Sequence, residues 1–177
     1  HVEQGNLQKA IAGAYSLNVL GLNVTVPYKQ AVIPCLDCVE GLAEKIGAVN
    51  TLVRTENGFR GYNTDMMGLY RAMEEEGIAF EAEDMILLGA GGAARAAAFL
   101  CAEKGAKRVY LLNRSYEKAA VLAEEVNRAY ERDCILPMAL SEYEKLPEEK
   151  MTAIQGTSAG LYPNTEDAVI LDPAFYQ

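Results

Sequence analysis

The sequence predicts an α/β protein in two parts, a mixed αβ unit followed by a parallel sheet with helical crossovers. From residue 85 onward, short apolar runs alternate with stretches of helical period, which is the pattern of βαβ units. A glycine-rich turn, Gly89-Ala90-Gly91-Gly92, stands between the first such run and the first such helix. Before residue 80 the pattern is irregular, with polar residues at the ends of apolar runs, and the acidic stretch Glu81 to Asp84 separates the two regimes. The boundary is therefore expected near residue 80, giving parts 1–79 and 80–177.

In order along the chain, Asn6 to Leu17 has helical period, and Leu22 to Val26 is a short apolar run that Pro27 closes, as a strand leading into a loop. Cys35 to Ile46 again reads as one helix ending at Gly47. Ala48 to Arg54 and Phe59 to Tyr62 read as strands joined through Asn57-Gly58, a dipeptide suited to hairpin turns. Thr64 and Asp65 are expected to cap a helix from Met66 to Glu76, closed by Gly77. Beyond the boundary come a strand at Met85 to Leu88, a helix at Ala93 to Glu103 and a strand at Arg108 to Leu112. A helix at Ser115 to Glu131 comes next, then strands at Cys134 to Met138 and Met151 to Gln155.

Half of the 177 residues are hydrophobic, enough to build a real core. Sixteen Lys and Arg against 25 Asp and Glu leave a formal charge of −9, so the chain has no general attraction for nucleic acid or anionic lipid. Neither is expected as a partner, and an anionic ligand must be held locally. No run approaches the roughly 18 apolar residues of a membrane span, and the N-terminus lacks the charged and apolar regions of a signal peptide. A cytoplasmic protein is expected. Because it starts at His1 rather than Met and stops at Tyr176-Gln177 soon after an apolar segment, it is expected to be an interior piece of a longer polypeptide.

Cys35 and Cys38 form one C-L-D-C, whereas Cys101 and Cys134 stand apart, and the single histidine is His1. Structural zinc usually takes four ligands at paired spacing, so reduced structural cysteines and no metal are expected. With no internal histidine, a Ser-His or Cys-His hydrolytic pair is excluded as well.

The turn Gly89-Ala90-Gly91-Gly92-Ala93-Ala94 has the strand-before, helix-after context of a Rossmann-like dinucleotide site. One glycine permits the tight turn, Gly91 lets the backbone approach a pyrophosphate, and the helix start supplies N–H donors. The residues just beyond the second strand indicate the cofactor. An NAD site carries an acid about 20 residues beyond the turn to hold the ribose 2′-hydroxyl. Here the strand ends in Asn113-Arg114-Ser115, with Lys118 a turn later. Two cations and a hydroxyl suit a 2′-phosphate, with Arg114 offering forked hydrogen bonds and a plane to stack on adenine, so NADP is expected. The alternative is that Ser115 only caps a helix and both cations are solvated.

The first part gathers polar groups at strand ends: Asn23, Thr25 and Lys29 in GLNVTVPYK, Asn50 and Thr51 in GAVNT, and Asn63, Thr64 and Asp65 in GYNTD. Asparagines among apolar neighbours must be hydrogen-bonded, and several together point to a polyhydroxylated ligand, with turn and cap chemistry as the alternative.

These motifs, together with GAGGAAR and NRS-x-x-K later in the chain, resemble the shikimate dehydrogenases and their quinate-using relatives over nearly its whole length. GLNVTVPYK followed by NTD carries most of the resemblance, because the glycine turn is shared with many reductases. The resemblance implies reversible, NADP-dependent reduction of 3-dehydroshikimate to shikimate in aromatic amino-acid biosynthesis, with the site in a cleft between an αβ substrate domain and a Rossmann-like NADP domain. It implies Lys29 and Asp65 as the catalytic pair. Asp65, Asn50, Thr25 and Tyr176 would bind substrate, while Asn23 supports the strand end. Thr157 and Ser158 would contact cofactor together with residues 89–93, Asn113, Arg114, Ser115 and Lys118. A monomer or homodimer acting on a small molecule is implied.

Two departures qualify the match. Where the family commonly carries Asn-Ala-Thr-Ser-x-Gly, this chain has Gln155-Gly156-Thr157-Ser158-Ala159-Gly160. The family's N-terminal strand with its Ser-x-Ser carboxylate site and its C-terminal helices with a ligand-binding Gln are absent. Other readings are a quinate/shikimate dehydrogenase using NAD or NADP, a non-catalytic dinucleotide-binding protein of the same fold, and a reductase acting on folates or an aminoacyl-tRNA. The last is disfavoured by the charge and leaves GLNVTVPYK unexplained.

Overall fold

A computed structural model describes residues 2–3 and 5–176. His1, Gln4 and Gln177 lie outside the described residues, and so do the very ends on which the expectation of an interior piece rests. The chain divides into two compact units, His1–Glu76 and Gly77–Gln177. The division falls three residues before the expected one, because residues 77–79 lead straight into Phe80, which is buried and belongs with the second unit. Among the described residues, no helix is long and apolar enough to cross a membrane.

The first unit contains α1 (Leu7–Ser16), β1 (Gly21–Asn23), β2 (Cys38–Val39), α2 (Gly41–Ile46), β3 (Thr51–Arg54), β4 (Phe59–Tyr62) and α3 (Asp65–Glu75). Its sheet runs β1-β3-β4-β2, with β3 antiparallel to β1 and β4, and β2 parallel to β4. Ile11, Val32, Ala43, Val49, Leu52 and Phe59 form the core beneath it. The expected hairpin is present. Arg54 faces Phe59, and the Thr55 hydroxyl accepts from the Gly58 N–H.

The expected helix over residues 35–46 is not formed as one piece. A single 3-10 turn, Ile33–Cys35, is followed by extended Leu36, the two-residue β2, and only then α2. Asp37 N–H donates to the Phe59 carbonyl and Glu40 N–H to the Gly61 carbonyl. Pairing with a strand distant in sequence overrides local helical period at this point. Glu40 then caps α2, its carboxylate accepting from Leu42 N–H. The first strand is also shorter than its apolar run. After Asn23 the chain leaves the sheet through Val24, whose N–H donates to the Asn50 carbonyl, and turns at a cis Val26-Pro27 bond.

The second unit follows the expected alternation to within a residue or two: β5 (Asp84–Leu88), α4 (Gly92–Glu103), β6 (Arg108–Asn113), α5 (Tyr116–Tyr130), β7 (Ile135–Ala139) and β8 (Thr152–Gln155). All four strands are parallel in the order β7-β6-β5-β8. The first βαβ crossovers lead from β5 out to β7, and the chain then returns to the other side of β5, so strand order reverses there. Open α/β sheets bind ligands where the order reverses, at the carboxyl ends of the strands. Alanines 94, 96, 97, 98 and 102 are buried along α4, which brings this helix close to the sheet. Ile86, Leu88, Tyr110 and Leu112 form an apolar cluster that buries Ile170, with Val169 and Phe175 packed against it. Two 3-10 segments, Leu140–Lys145 and Pro173–Tyr176, have no counterpart in the expected elements.

Candidate functional site

In the first unit the predicted polar residues converge because three backbone hydrogen bonds bring their segments into register. Lys29 offers its carbonyl to Val49 N–H at 2.7 Å, and Asn50 donates its N–H to the Tyr62 carbonyl at 3.0 Å. Val24 N–H closes the set on the Asn50 carbonyl at 2.8 Å. The ends of the GLNVTVPYK, GAVNT and GYNTD segments therefore lie side by side.

Lys29 Nζ donates to Asp65 Oδ2 at 2.7 Å, with the two side chains 16% and 31% exposed. The ammonium is thus largely withdrawn from water yet not sealed off, which suits a group that meets a small ligand. The other carboxylate oxygen, Oδ1, accepts from Asn50 Nδ2 at 2.7 Å. Asn50 also places Nδ2 3.0 Å from Thr64 Oγ1, and its Oδ1 accepts from Thr51 Oγ1 at 2.9 Å and from Thr64 N–H at 3.0 Å. Buried Asn63 completes the frame. Its Nδ2 donates to the Ala48 carbonyl and its Oδ1 accepts from Asp65 N–H, each at 3.0 Å.

This geometry revises the expected cap at Thr64 and adds detail to the other predicted residues. Thr64 occupies the N-cap position of α3 but makes no side-chain cap; Asn63 takes the Asp65 N–H instead. Asn50 Nδ2 is shared between Asp65 and Thr64, so Asn50 also orients the carboxylate, a role the sequence did not show. Thr25 is exposed, and its carbonyl closes a turn by accepting from Tyr28 N–H. Asn23 is exposed at the end of β1 opposite Thr51. The orienting roles of Thr51, Thr64 and Asn63 were visible in the sequence only as polar strand ends.

In the second unit, Gly89 adopts φ +108° at the end of β5, a conformation that a side chain would strain. A Cβ there would also fall 2.9 Å from Thr157 Cγ2. Around Gly91 a Cβ would meet nothing within 4 Å, and α4 begins with no side-chain cap, its first in-helix donor being Arg95 N–H to the Gly91 carbonyl. The uncapped start, with Ala90 and Gly92 half-buried and Ala93 exposed, is suited to a phosphate held by backbone N–H groups.

At the end of β6, Asn113 Nδ2 donates to the Ser115 carbonyl at 2.9 Å. Ser115 caps α5 by accepting from Lys118 N–H, and its hydroxyl donates to Glu117, which holds that carboxyl below its ordinary value. Arg114 and Lys118 are exposed and form no ion pair among the described residues. Arg114 opens onto a pocket of about 460 Å³ whose walls include Leu140, Ser141, Tyr143, Ile170 and Asp172. That pocket had no signal in the sequence beyond Arg114, because its other walls come from the unpredicted 3-10 segment Leu140–Lys145 and from residues 169–172, just before the second one. Thr157 and Ser158 come after β8. Thr157 is tied to Gln155 and Ala159, while Ser158 is exposed. Tyr176 lies in the second unit, edge-on to Phe175, with its hydroxyl donating to the Ile170 carbonyl at 3.2 Å.

Comparison with known proteins assigns the chain a family. Residues 1–52 match the family model for the shikimate dehydrogenase substrate binding domain, and residues 72–166 that for shikimate / quinate 5-dehydrogenase. A shikimate dehydrogenase (NADP(+)) of Methanothermobacter thermautotrophicus is 42% identical over 169 residues, covering 94% of this chain and 58% of the relative. Among solved structures, quinate dehydrogenase from Corynebacterium glutamicum in complex with NAD superposes with a TM-score of 0.86 at 30% identity, covering 97% of this chain and 61% of that one. Shikimate 5-dehydrogenase from Listeria monocytogenes, in complex with shikimate and NAD, gives 0.85 at 28% identity, covering 99% and 62%. The chain therefore spans about three fifths of the length of the proteins it matches. The family model over residues 72–166 covers more than half of the sequence, and on that match the chain belongs to the shikimate / quinate 5-dehydrogenase family.

Proposed function

We propose that this chain carries the catalytic core of an NADP-dependent shikimate dehydrogenase, which interconverts 3-dehydroshikimate and shikimate in aromatic amino-acid biosynthesis. The observation that carries the reading is the Lys29–Asp65 pair at 2.7 Å with Asn50 fixing the second carboxylate oxygen. When bound, the nicotinamide ring supplies or takes up the hydride. As the substrate carbonyl is reduced, negative charge grows on its oxygen. The Lys29 ammonium stabilises that charge and donates the proton, and in the oxidation direction the neutral amine takes it back. Asp65 holds the lysine in place, and Asn50 holds Asp65. The exposed Thr25 hydroxyl and the outer edge of Asp65 face water and are suited to ring hydroxyls.

For the cofactor, the uncapped start of α4 supports pyrophosphate binding. The exposed Arg114 and Lys118, with Asn113 where an acid would favour NAD, support a 2′-phosphate. Residues 89–93, Ser115, Thr157 and Ser158 complete the proposed cofactor contacts, and Tyr176 remains a proposed substrate contact. The partner is a small molecule, the protein a monomer or homodimer, and the compartment the cytoplasm.

The test is nicotinamide absorbance on adding shikimate or quinate with NADP or NAD to the chain. Turnover with shikimate and NADP is expected, and Arg114→Ala should erode the preference for NADP over NAD by about tenfold. Turnover confined to quinate and NAD would overturn the substrate and cofactor assignment. NADP binding without turnover would point to an incomplete substrate domain or to a non-catalytic dinucleotide-binding protein, which the same assay on the uncut polypeptide separates.

A further inference from the structure

The pair Gln155-Gly156, which departs from the Asn-Ala common in this family, has no role in the mechanism above. We propose that Gln155 is a positioning residue for the half of the dinucleotide remote from Arg114, a proposal that rests on the cofactor reading just given. Arg114 marks the end of β6, on one side of β5, whereas Gln155 ends β8 on the other. A dinucleotide laid across the glycine turn with its adenosine at Arg114 presents its opposite half to the loop after β8.

That loop is organised by one side chain. Gln155 Oε1 accepts from Thr157 N–H at 2.7 Å and from the Thr157 hydroxyl at 2.8 Å, and Gln155 Nε2 donates to the Ala159 carbonyl at 3.0 Å. Ala159 N–H closes the ring by donating to Thr157 Oγ1 at 3.1 Å. The Thr157 hydroxyl is thereby engaged inside the loop, which leaves the loop backbone and exposed Ser158 to meet a ligand.

The glycine beside it makes the arrangement specific. Gly156 N–H continues the β8 ladder onto the Leu88 carbonyl, and a Cβ at this position would fall 2.8 Å from Ala94 Cβ and 2.9 Å from Ala94 Cα. The first turn of α4 thus seats directly on Gly156, as the Thr157 methyl seats on Gly89. Phosphate-binding turn, helix start and loop interlock through missing side chains, and the Gln155 hydrogen bonds set the face that the loop turns outward. Gln155 itself is exposed, so its loss is felt by the loop rather than by the core.

Calorimetric titration of the chain with NADP and with adenosine 2′,5′-bisphosphate, the half-cofactor that reaches only the Arg114 side, tests this. Gln155→Leu should weaken NADP about tenfold and leave the half-cofactor unchanged. Gln155→Asn, whose shorter amide can still accept from the N–H two residues on, should recover part of the loss. Thermal unfolding checks that both variants fold, and the Asn variant keeps the test decisive should the Leu variant not. Equal weakening of both ligands, or no change in either, would overturn the positioning role. Failure of the unsubstituted chain to bind either ligand would overturn the cofactor reading and this proposal with it.

Discussion

The two units prepare for ligands in opposite ways. In the first, Lys29, Asp65, Asn50, Thr51, Thr64 and Asn63 satisfy one another through side chains drawn from three segments. In the second, the proposed phosphate site is an uncapped helix start and a glycine turn, and Arg114 and Lys118 are exposed, with no ion pair among the described residues. A proton-transfer group must be held at one position relative to its substrate, so it is worth locking with a closed network. A phosphate is met adequately by backbone donors and mobile cations, so those can stay open until the ligand arrives. Removing a member of the closed network should therefore orphan its neighbours, whereas removing an open group should cost only its own contact.

The largest expected effect comes from Lys29→Met, which keeps most of the side-chain volume and deletes the ammonium. Turnover should fall by about 10²- to 10⁴-fold, the usual range for losing a general acid, while NADP affinity stays as it was. Steady-state rates set beside a cofactor titration check this, and a variant with near-normal turnover would remove Lys29 from the mechanism. It would also erase the functional contrast between the two units.

A smaller effect sharpens the structural side of the contrast. Asn63→Ala leaves the Ala48 carbonyl and the Asp65 N–H without partners inside the first unit. An unsatisfied buried group costs about 1–3 kcal/mol, so the denaturant midpoint should drop accordingly. Turnover should fall as well, because Asp65 loses the bond that fixes the start of α3. An unchanged midpoint would mean that the network is ornamental to the fold.

The same contrast governs what could be read from the sequence. The second unit was legible to within a residue or two because a parallel sheet with crossovers is written locally, strand by turn by helix. The glycine turn between β5 and α4 was legible for the same reason. The first unit was legible in α1, the β3–β4 hairpin and α3, but not over residues 35–40, which are diverted from helix by Cys38 and Val39 pairing with Arg60 and Gly61, more than twenty residues away. Asn50 was legible as a polar strand end, but its bond to the Asp65 carboxylate was not. Whether an asparagine faces a ligand or orients a carboxylate depends on which segments fold beside it, and that is tertiary information.

Acid should separate the two units with the smallest effect. Asp84, at the start of β5 and 9% exposed, accepts from Arg108 Nε at 3.0 and 3.1 Å and from a second guanidinium nitrogen, with Lys107 Nζ 3.9 Å away. The Arg108 hydrogen bonds hold its carboxyl below the usual range. Glu142, bonded to Lys145, and Glu117, bonded to Ser115, are lowered too, and all three lie in the second unit. A carboxyl whose folded pKa lies below its unfolded one stabilises the fold above the unfolded value, about 4, and loses that contribution as pH falls through the folded one. The second unit should therefore loosen as pH drops below about 4. Asp84→Asn should lower its unfolding temperature near neutrality, and the gap to the unsubstituted chain should close in acid. Thermal melts across roughly pH 2 to 7, followed by hydrogen exchange resolved to each unit, make the measurement. A gap that persists at low pH would mean that Asp84 acts through its shape and packing rather than through its charge.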